Sequence, residues 1–496
     1  MNKKYVIAFD QGTTSTRTII FDAQGNIHAI SQKELTQHYP ESGWVEHDPN
    51  DIYQDQKDTF ETVIKDSGIN PKDIVAIGIT NQRETTVVWD KDSGEPIYNA
   101  IVWLDNRTKD ICQTMKADGL ESYVREHTGL VIDAYFSGTK LKWILDNVKG
   151  AREKADAGKL LFGTVDSWLI YKFTKQKHHY TDHTNASRTM LYNIKDLTWD
   201  DTLLKALDIP KSMLPEVKTS SSNFGSVFYQ DIEIPIYGVA GDQQAALFGQ
   251  GGSIEGIAKN TYGTGCFILL NNGKDYVASK NGLITTLACS LPDQPKHYAL
   301  EGSIFIGGAS IQWLRDKIQL IDHAKDTEAI CNSIPPLKDL YVVPAFAGLG
   351  APYWDANAKG AIYGITLDIG KNEIIKATLE ALAYQTKDVI KAMEDDCGKT
   401  LSSLKVDGGA SANNYLMQFQ SDLLNVPVDR PKMIEITALG AAMLAGLKAG
   451  IWTQHDVESI REIDRVFTPK MDVETRTKKY TGWLDAIART KTQNEA

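Results

Sequence analysis

Three short stretches of this chain place carboxylates, hydroxyls and glycines where phosphate chemistry needs them. The first is Asp10-Gln11-Gly12-Thr13-Thr14-Ser15-Thr16-Arg17. It follows an apolar run at 5–9, whose branched and aromatic residues predict a buried strand capped by Asp10. A second strand is predicted at 16–21, before the turn Ala23-Gln24-Gly25-Asn26. An acid at a strand end, beside hydroxyls and free N–H groups, suits a metal ion and the phosphates it bridges. The same residues would also make a plain hairpin whose Thr and Ser satisfy turn amides. The second stretch, Asn81-Gln82-Arg83-Glu84-Thr85-Thr86, lies between strands predicted at 74–79 and 87–89. Adjacent opposite charges at a sheet edge can bond a polyhydroxylated ligand, or form a surface ion pair of little worth. The third is Gly241-Asp242-Gln243-Gln244, where a strand ends in an acid heading a short helix. Asp242 is either an N-cap or a carboxylate free to accept a hydroxyl proton.

The second half supplies glycine turns in the same style. Gly263-Thr264-Gly265 sits between two apolar runs and repeats the opening hairpin, which suggests an internal duplication. Gly307-Gly308-Ala309-Ser310 opens a predicted helix, and Asp407-Gly408-Gly409-Ala410 links a strand to a helix running to Leu424. Such turns let a ligand approach the backbone closely. Cys397-Gly398-Lys399-Thr400 is not a P-loop, because Met393 stands where the first glycine belongs.

These motifs need elements to carry them. Asp48-Pro49 starts a predicted helix with Ile52, Phe60, Val63 and Ile64 inward. Residues 135–147 read as a loop opening a helix, and 373–394 as the clearest amphipathic helix, a core element. Small residues at 438–446 allow tight helix packing near an interdomain hinge. His178, His179, Asp182 and His183 read as a solvated polar loop rather than a metal site, and 218–223 as serine-rich linker.

At 496 residues, 42% hydrophobic and 24% charged, the chain predicts two large globular domains, divided at 1–250 and 251–496 after the glycine-rich break at 248–253. A net charge of −11 without a basic block argues against nucleic acid and anionic membrane as partners. No stretch has the length of a membrane span, and the apolar run that Asp10 ends is too short for a signal peptide. Five scattered cysteines without a C-x-x-C pair fit a reducing, cytoplasmic setting.

The ordered series D-x-G-T-T-S, G-D-Q-Q, Y-G-T-G, D-G-G-A-S and A-L-G-A-A resembles the actin-like ATPase superfamily. Residues 135–147 and 360–380 are similar to the two signatures of the FGGY carbohydrate kinases. That resemblance implies an α/β fold of two ribonuclease-H-like domains, with mixed sheets flanked by helices and ATP in the cleft between them. It implies glycerol as phosphoryl acceptor, most specifically through Asn81-Gln82-Arg83-Glu84-Thr85, Ser42-Gly43-Trp44-Val45-Glu46, Asn185-Ala186-Ser187-Arg188-Thr189 and Gly241-Asp242-Gln243-Gln244. Arg83, Glu84, Tyr135 and Asp242 would hydrogen-bond it, with Gln243 adjacent, Trp103 and Phe267 walling its carbon edge and Asp242 as base. Thr13, Thr14, Ser15, Arg17, Thr264, Gly307, Gly308, Gln312, Gly409 and Asn413 would hold the nucleotide, and Asp10 would face magnesium. A homodimer or homotetramer is expected by the same analogy. Residues 219–241 contain no histidine, so regulation by histidine phosphorylation through a phosphotransferase system is not expected. The alternatives are a kinase of another polyol or ketose and, in another class, a nucleotide-switched scaffold.

Overall fold

The computed structural model describes residues 4–355 and 357–492. The first sheet has strands β1 (Tyr5–Gln11), β2 (Ser15–Asp22), β3 (Ile27–Glu34), β4 (Ile74–Asn81), β5 (Ser226–Tyr229) and β6 (Ile232–Gly241), in the order β5-β6-β4-β1-β2-β3. β1, β2 and β3 form an antiparallel meander, and β4 runs parallel to both β1 and β6. Val6, Ile7, Ala8 and Phe9 are fully buried, as a central strand covered on both faces requires. Asp10 does not cap this strand: β1 runs one residue further, to Gln11.

A second sheet repeats the plan. Its strands are β7 (Ala258–Tyr262), β8 (Cys266–Gly273), β9 (Ile284–Leu287), β10 (Tyr298–Ile304), β11 (Leu404–Asp407), β12 (Val428–Pro431) and β13 (Ile463–Phe467), in the order β9-β10-β8-β7-β11-β12-β13. Here too an antiparallel meander, β7-β8-β10, is continued past its first strand by parallel neighbours, β11 and β12. The duplication suggested by the two hairpins is therefore a duplication of topology, and the arrangement is the two-domain α/β fold expected of the resemblance.

Seven helices position the site: α1 (Pro49–Ser67), α2 (Ser137–Asn147), α3 (Asp242–Gly249), α4 (Gly308–Asp316), α5 (Lys371–Cys397), α6 (Asn414–Leu424) and α7 (Ile436–Ala449). α1 buries Ile52, Phe60, Val63 and Ile64, and Asp48 caps it by accepting from the Asn50 N–H. α5 buries Ile375, Leu379, Leu382, Val389 and Met393. Among the described residues, no helix is long and apolar enough to cross a membrane.

Two expectations are corrected here. The 178–183 segment is not a solvated loop: Asp182 is fully buried, His179 and His183 are half-buried, and burial pushes both imidazoles down to about 4. Nor is 218–223 a linker. Glu216–Lys218 pairs with Tyr180–Asp182, while buried Ser220 donates to Asp182 Oδ2 at 2.7 Å. Ser220 satisfies a buried acid and Ser221 donates to Leu444 O at 2.9 Å, roles that composition does not distinguish from flexibility.

α7 belongs by sequence to the second half, yet it lies on the first sheet and against α3, in one apolar cluster with Val6, Ala8, Ile19 and Phe21. Glycines make this approach possible. A Cβ on Gly78 would stand 2.1 Å from Ala441 O, one on Gly238 2.7 Å from Ala445 N, and one on Gly440 2.0 Å from Ala245 O. Substituting Gly78→Ala is expected to destabilise the protein by about 1–3 kcal/mol through overpacking. Urea denaturation checks this, the midpoint falling while the slope stays constant.

Candidate active site

The three motifs of the first half leave one edge of one sheet. Gln11, at the end of β1, is in register with Asn81 at the end of β4, and Asn81 with Gly241 at the end of β6. Turns at the carboxyl ends of neighbouring parallel strands are where open α/β sheets bind ligands. Side chains tie the turns together. Gln82 Nε2 donates to Gly12 O at 3.1 Å, and Trp103 Nε1 donates to Thr13 Oγ1 at 2.9 Å. Trp103, Tyr135 and Phe267 form an aromatic wall, with ring centroids 5.5 Å apart for Trp103–Tyr135 and 6.2 Å for Trp103–Phe267.

Arg83 and Glu84 are not at a solvated edge; both are buried within a network of four charges. Arg83 donates to Glu301 twice, Nη1 to Oε2 at 2.6 Å and Nη2 to Oε1 at 2.9 Å. Arg188 donates from Nε to Glu84 Oε1 at 2.6 Å and from Nη2 to Glu301 Oε1 at 3.1 Å. Arg83 Nε also lies 3.2 Å from Asp242 Oδ1. Arg83 Nη2 keeps one N–H uncommitted, and nothing among the described residues donates to Glu84 Oε2. One guanidinium N–H and one carboxylate oxygen of the network are thus left without a partner among the described residues. Burial pushes the Glu84 carboxyl up against the pull of Arg188 and Arg83. For Glu301 burial acts the same way, but the two guanidiniums outweigh it and hold the carboxyl at about 2.

Local structure fixes this turn. Glu84 has φ 61°, the left-handed region that a glutamate rarely adopts. Its carbonyl accepts from Ser137 Oγ at 2.8 Å and Thr86 Oγ1 at 3.1 Å. Asn81 and Asn185 exchange amide hydrogen bonds at 2.9 and 3.2 Å, which brings the 183–188 segment and Arg188 alongside. Thr184 Oγ1 accepts the Gly241 N–H at 2.8 Å, so the same segment sets the residue before Asp242.

At the first hairpin, Gly12 N–H donates to Ser15 O at 2.9 Å and closes the turn. Thr14 is exposed, Thr13 half-buried and Ser15 buried. Burial pushes Asp10 up to about 7; Arg17 opposes this, while Glu435 and Asp242 add to it. Arg17 Nη1 donates to Glu435 Oε2 at 2.7 Å and lies 3.8 Å from Asp10 Oδ2. Among the described residues no group of three His, Cys, Asp or Glu could hold a metal ion by itself. A single excess carboxylate beside hydroxyls fits magnesium, which takes one or two carboxylates and completes its shell with water and phosphate oxygens.

The glycines of the second half serve a different purpose from the one expected. The N–H groups of Gly307, Gly308 and Ala309 donate to Thr264 O, Gly263 O and Thr264 O at 2.8, 2.9 and 3.0 Å. A Cβ on Gly308 would stand 2.7 Å from Gly263 O, so these glycines let two loops touch. The first N–H groups of α4 are therefore already used. Gly409 does face open space, following Gly408 with φ 84°. Thr261 is in register with Asp407, which brings the Thr264 hairpin and the Gly409 turn to one edge of the second sheet. Gln312 is exposed on α4. Asn413 caps α6, accepting from Leu416 N–H at 3.0 Å and donating to Thr327 Oγ1 at 3.0 Å.

Glu301, Arg188 and Gln244 were not among the expected site residues. Gln244 accepts from Arg83 Nη1 at 3.1 Å. Glu301 carried a readable signal, a lone acid inside the apolar strand Tyr298–Ile304 that demands a buried cationic partner.

The sequence matches the FGGY family of carbohydrate kinases in both its N-terminal domain, over residues 5–249, and its C-terminal domain, over 258–449. The chain belongs to this family. It is 60% identical to glycerol kinase from Alkaliphilus oremlandii, over 98% of this chain and 97% of that protein. Among solved structures, glycerol kinase from Plasmodium falciparum with ADP superposes with a TM-score of 0.94 at 38% identity, covering 99% of both chains. Gluconate kinase from Lactobacillus acidophilus shares the fold, with a TM-score of 0.85 at 24% identity and 98% coverage of each chain.

Replacing Glu301→Ala strands two buried guanidiniums and is expected to cost about 3–5 kcal/mol of stability. Chemical denaturation at neutral pH measures it. A cost under 1 kcal/mol would mean that solvent reaches the network.

Proposed function

We propose that this protein transfers the γ-phosphoryl group of ATP to a terminal hydroxyl of glycerol, giving glycerol 3-phosphate and ADP. The observation that carries the reading is the convergence of Arg83, Glu84 and Asp242 with the Trp103–Tyr135–Phe267 wall, beside the hairpin of Asp10–Ser15. A three-carbon triol offers little apolar area, so its recognition rests on fixed donors and acceptors. Arg83 Nη2 and Glu84 Oε2 supply a matched pair, and the rings cover the carbon edge.

Asp242 is the base. Its side chain is 32% exposed, against 2% for Arg83, so it is the charged group of this cluster that faces the cleft. The acceptor hydroxyl gives its proton to Asp242 as its oxygen bonds the γ-phosphorus, and the bond from that phosphorus to the β–γ bridging oxygen breaks to release ADP. Phosphoryl transfer depends on in-line placement and charge neutralisation. Thr13, Thr14, Ser15 and Arg17 hold the phosphates from the first sheet, and Thr264 from the second, on a hairpin braced by Gly307 and Gly308. Gln312, Gly409 and Asn413 take the nucleoside end, with Asn413 acting through the turn it caps. Asp10 would hold Mg²⁺, which when bound neutralises charge on the phosphates.

Production of ADP from Mg-ATP tests the reading, with glycerol compared against xylulose, gluconate, erythritol and dihydroxyacetone. Glycerol is expected to stimulate strongly, and Asp242→Asn to lower kcat by about 10²–10⁴-fold. Stimulation by a sugar or sugar acid instead would overturn the acceptor. ATP turnover indifferent to every acceptor would point to a nucleotide-switched scaffold.

A further inference from the structure

We infer that Lys259 is a positioning residue for phosphoryl transfer: reaching from the second sheet, its ammonium fixes the amide of Gln243 and, through it, the carboxylate of Asp242. This rests on the reading of Asp242 as base. Lys259 lies on β7 and is fully buried. Its Nζ donates to Gln243 Oε1, to Thr261 Oγ1 at 2.9 Å and to Phe267 O at 3.2 Å. An ammonium has three donors, so all are spent inside the protein and none remains for a ligand.

The amide of a glutamine is nearly symmetric in shape and can present either end to a neighbour. A cation on Oε1 removes that freedom. Nε2 is then turned toward Asp242, where it donates to Oδ2 at 3.1 Å. The other carboxylate oxygen, Oδ1, accepts the Gln243 backbone N–H at 2.7 Å and lies 3.2 Å from Arg83 Nε. Arg83 is itself gripped by Glu301 of β10. Both side chains that orient the base are therefore held from the opposite sheet, Gln243 by Lys259 and Arg83 by Glu301. The same ammonium anchors the backbone of Phe267 in the aromatic wall and the hydroxyl of Thr261, at the foot of the Thr264 hairpin. One buried cation joins the base, the acceptor wall and the phosphate turn.

The groups facing this ammonium are Asp407, Asp242, Arg83 and Glu301. Burial lowers the amine to about 8, with the three carboxylates opposing and Arg83 assisting. The cation that orders Gln243 is thus lost as pH rises through about 8.

Steady-state kinetics on the full-length protein test the inference. Lys259→Met keeps the length and removes the charge. It is expected to lower kcat about 10- to 100-fold, the effect of a misplaced catalytic group. KM for glycerol and for ATP should change less than kcat, since Arg83, Glu84 and the first hairpin keep their own partners. Lys259→Arg should restore part of kcat. In the wild type, kcat/KM for glycerol should fall as pH rises through about 8, a limb absent from Lys259→Arg because a guanidinium stays charged. If Lys259→Met does not fold, the wild-type limb and Gln243→Met decide: the limb should be present in the wild type and absent from Gln243→Met. Unchanged kcat in Lys259→Met, a raised KM with kcat intact, or a limb that persists in Lys259→Arg would each overturn the inference. A wild type without glycerol-dependent ADP formation would instead overturn the function proposed above.

Discussion

The proposed acceptor site depends on four charges withdrawn from water, Arg83, Arg188, Glu84 and Glu301, paired so that their sum is zero. Desolvating such groups is costly, and hydrophobic residues of similar size would often stabilise a fold as well or better. What the ionic arrangement provides is orientation. Each guanidinium is planar and meets a carboxylate in a defined geometry, so Arg83 and Glu84 present their free atoms in fixed directions. Preorganised dipoles of this kind need not rearrange when the acceptor binds or when charge shifts during transfer. The partners come from distant parts of the chain, Glu301 on the second sheet and Arg188 on a segment clamped by the Asn81–Asn185 amide pair.

The glycines follow another principle. They are placed where two loops, or a helix and a sheet, approach more closely than a Cβ allows. Gly308 against Gly263 and Gly78 against Ala441 are the plainest cases. Close backbone approach and buried ion pairs complement each other here. The first seats helices and loops closely on their sheets, and the second fixes the direction of the side chains at the site.

Much of the scaffold was legible in the sequence because its elements are locally determined. The apolar run of β1, the stripe of α1 and the long period of α5 each state their own conformation. The resemblance to the FGGY kinases rested on the stretches at 135–147 and 360–380, and four of the five short motifs stand at strand ends. What could not be read was partnership. Arg83-Glu84 also read as a surface pair, since nothing within that turn points to Glu301 or Arg188. Asp182, His179 and the serines of 218–223 suggested solvent because they are polar, whereas long-range contacts bury them. The glycines of Gly307-Gly308 suggested an opening for a ligand, and they face another loop. Local rules convey element type, and only tertiary contact tells whether a polar residue meets water, ligand or protein.

The position of α7 has a consequence for synthesis. Its residues are among the last quarter of the chain, yet they cover Val6, Ala8, Ile19 and Phe21, which are translated first. As the chain leaves the ribosome, the first sheet can pair its strands once Gly241 has emerged, but one apolar face stays bare until Ala449 follows. Domains otherwise tend to fold as units in order of synthesis, and bare apolar faces are what chaperones bind. This protein cannot finish its first domain first. The nascent first half must be shielded, or remain loosely formed, while β7 to β12 of the second sheet are made. A chain truncated before Ile436 would expose the same face permanently, which makes premature termination a route to aggregation rather than to a smaller folded unit.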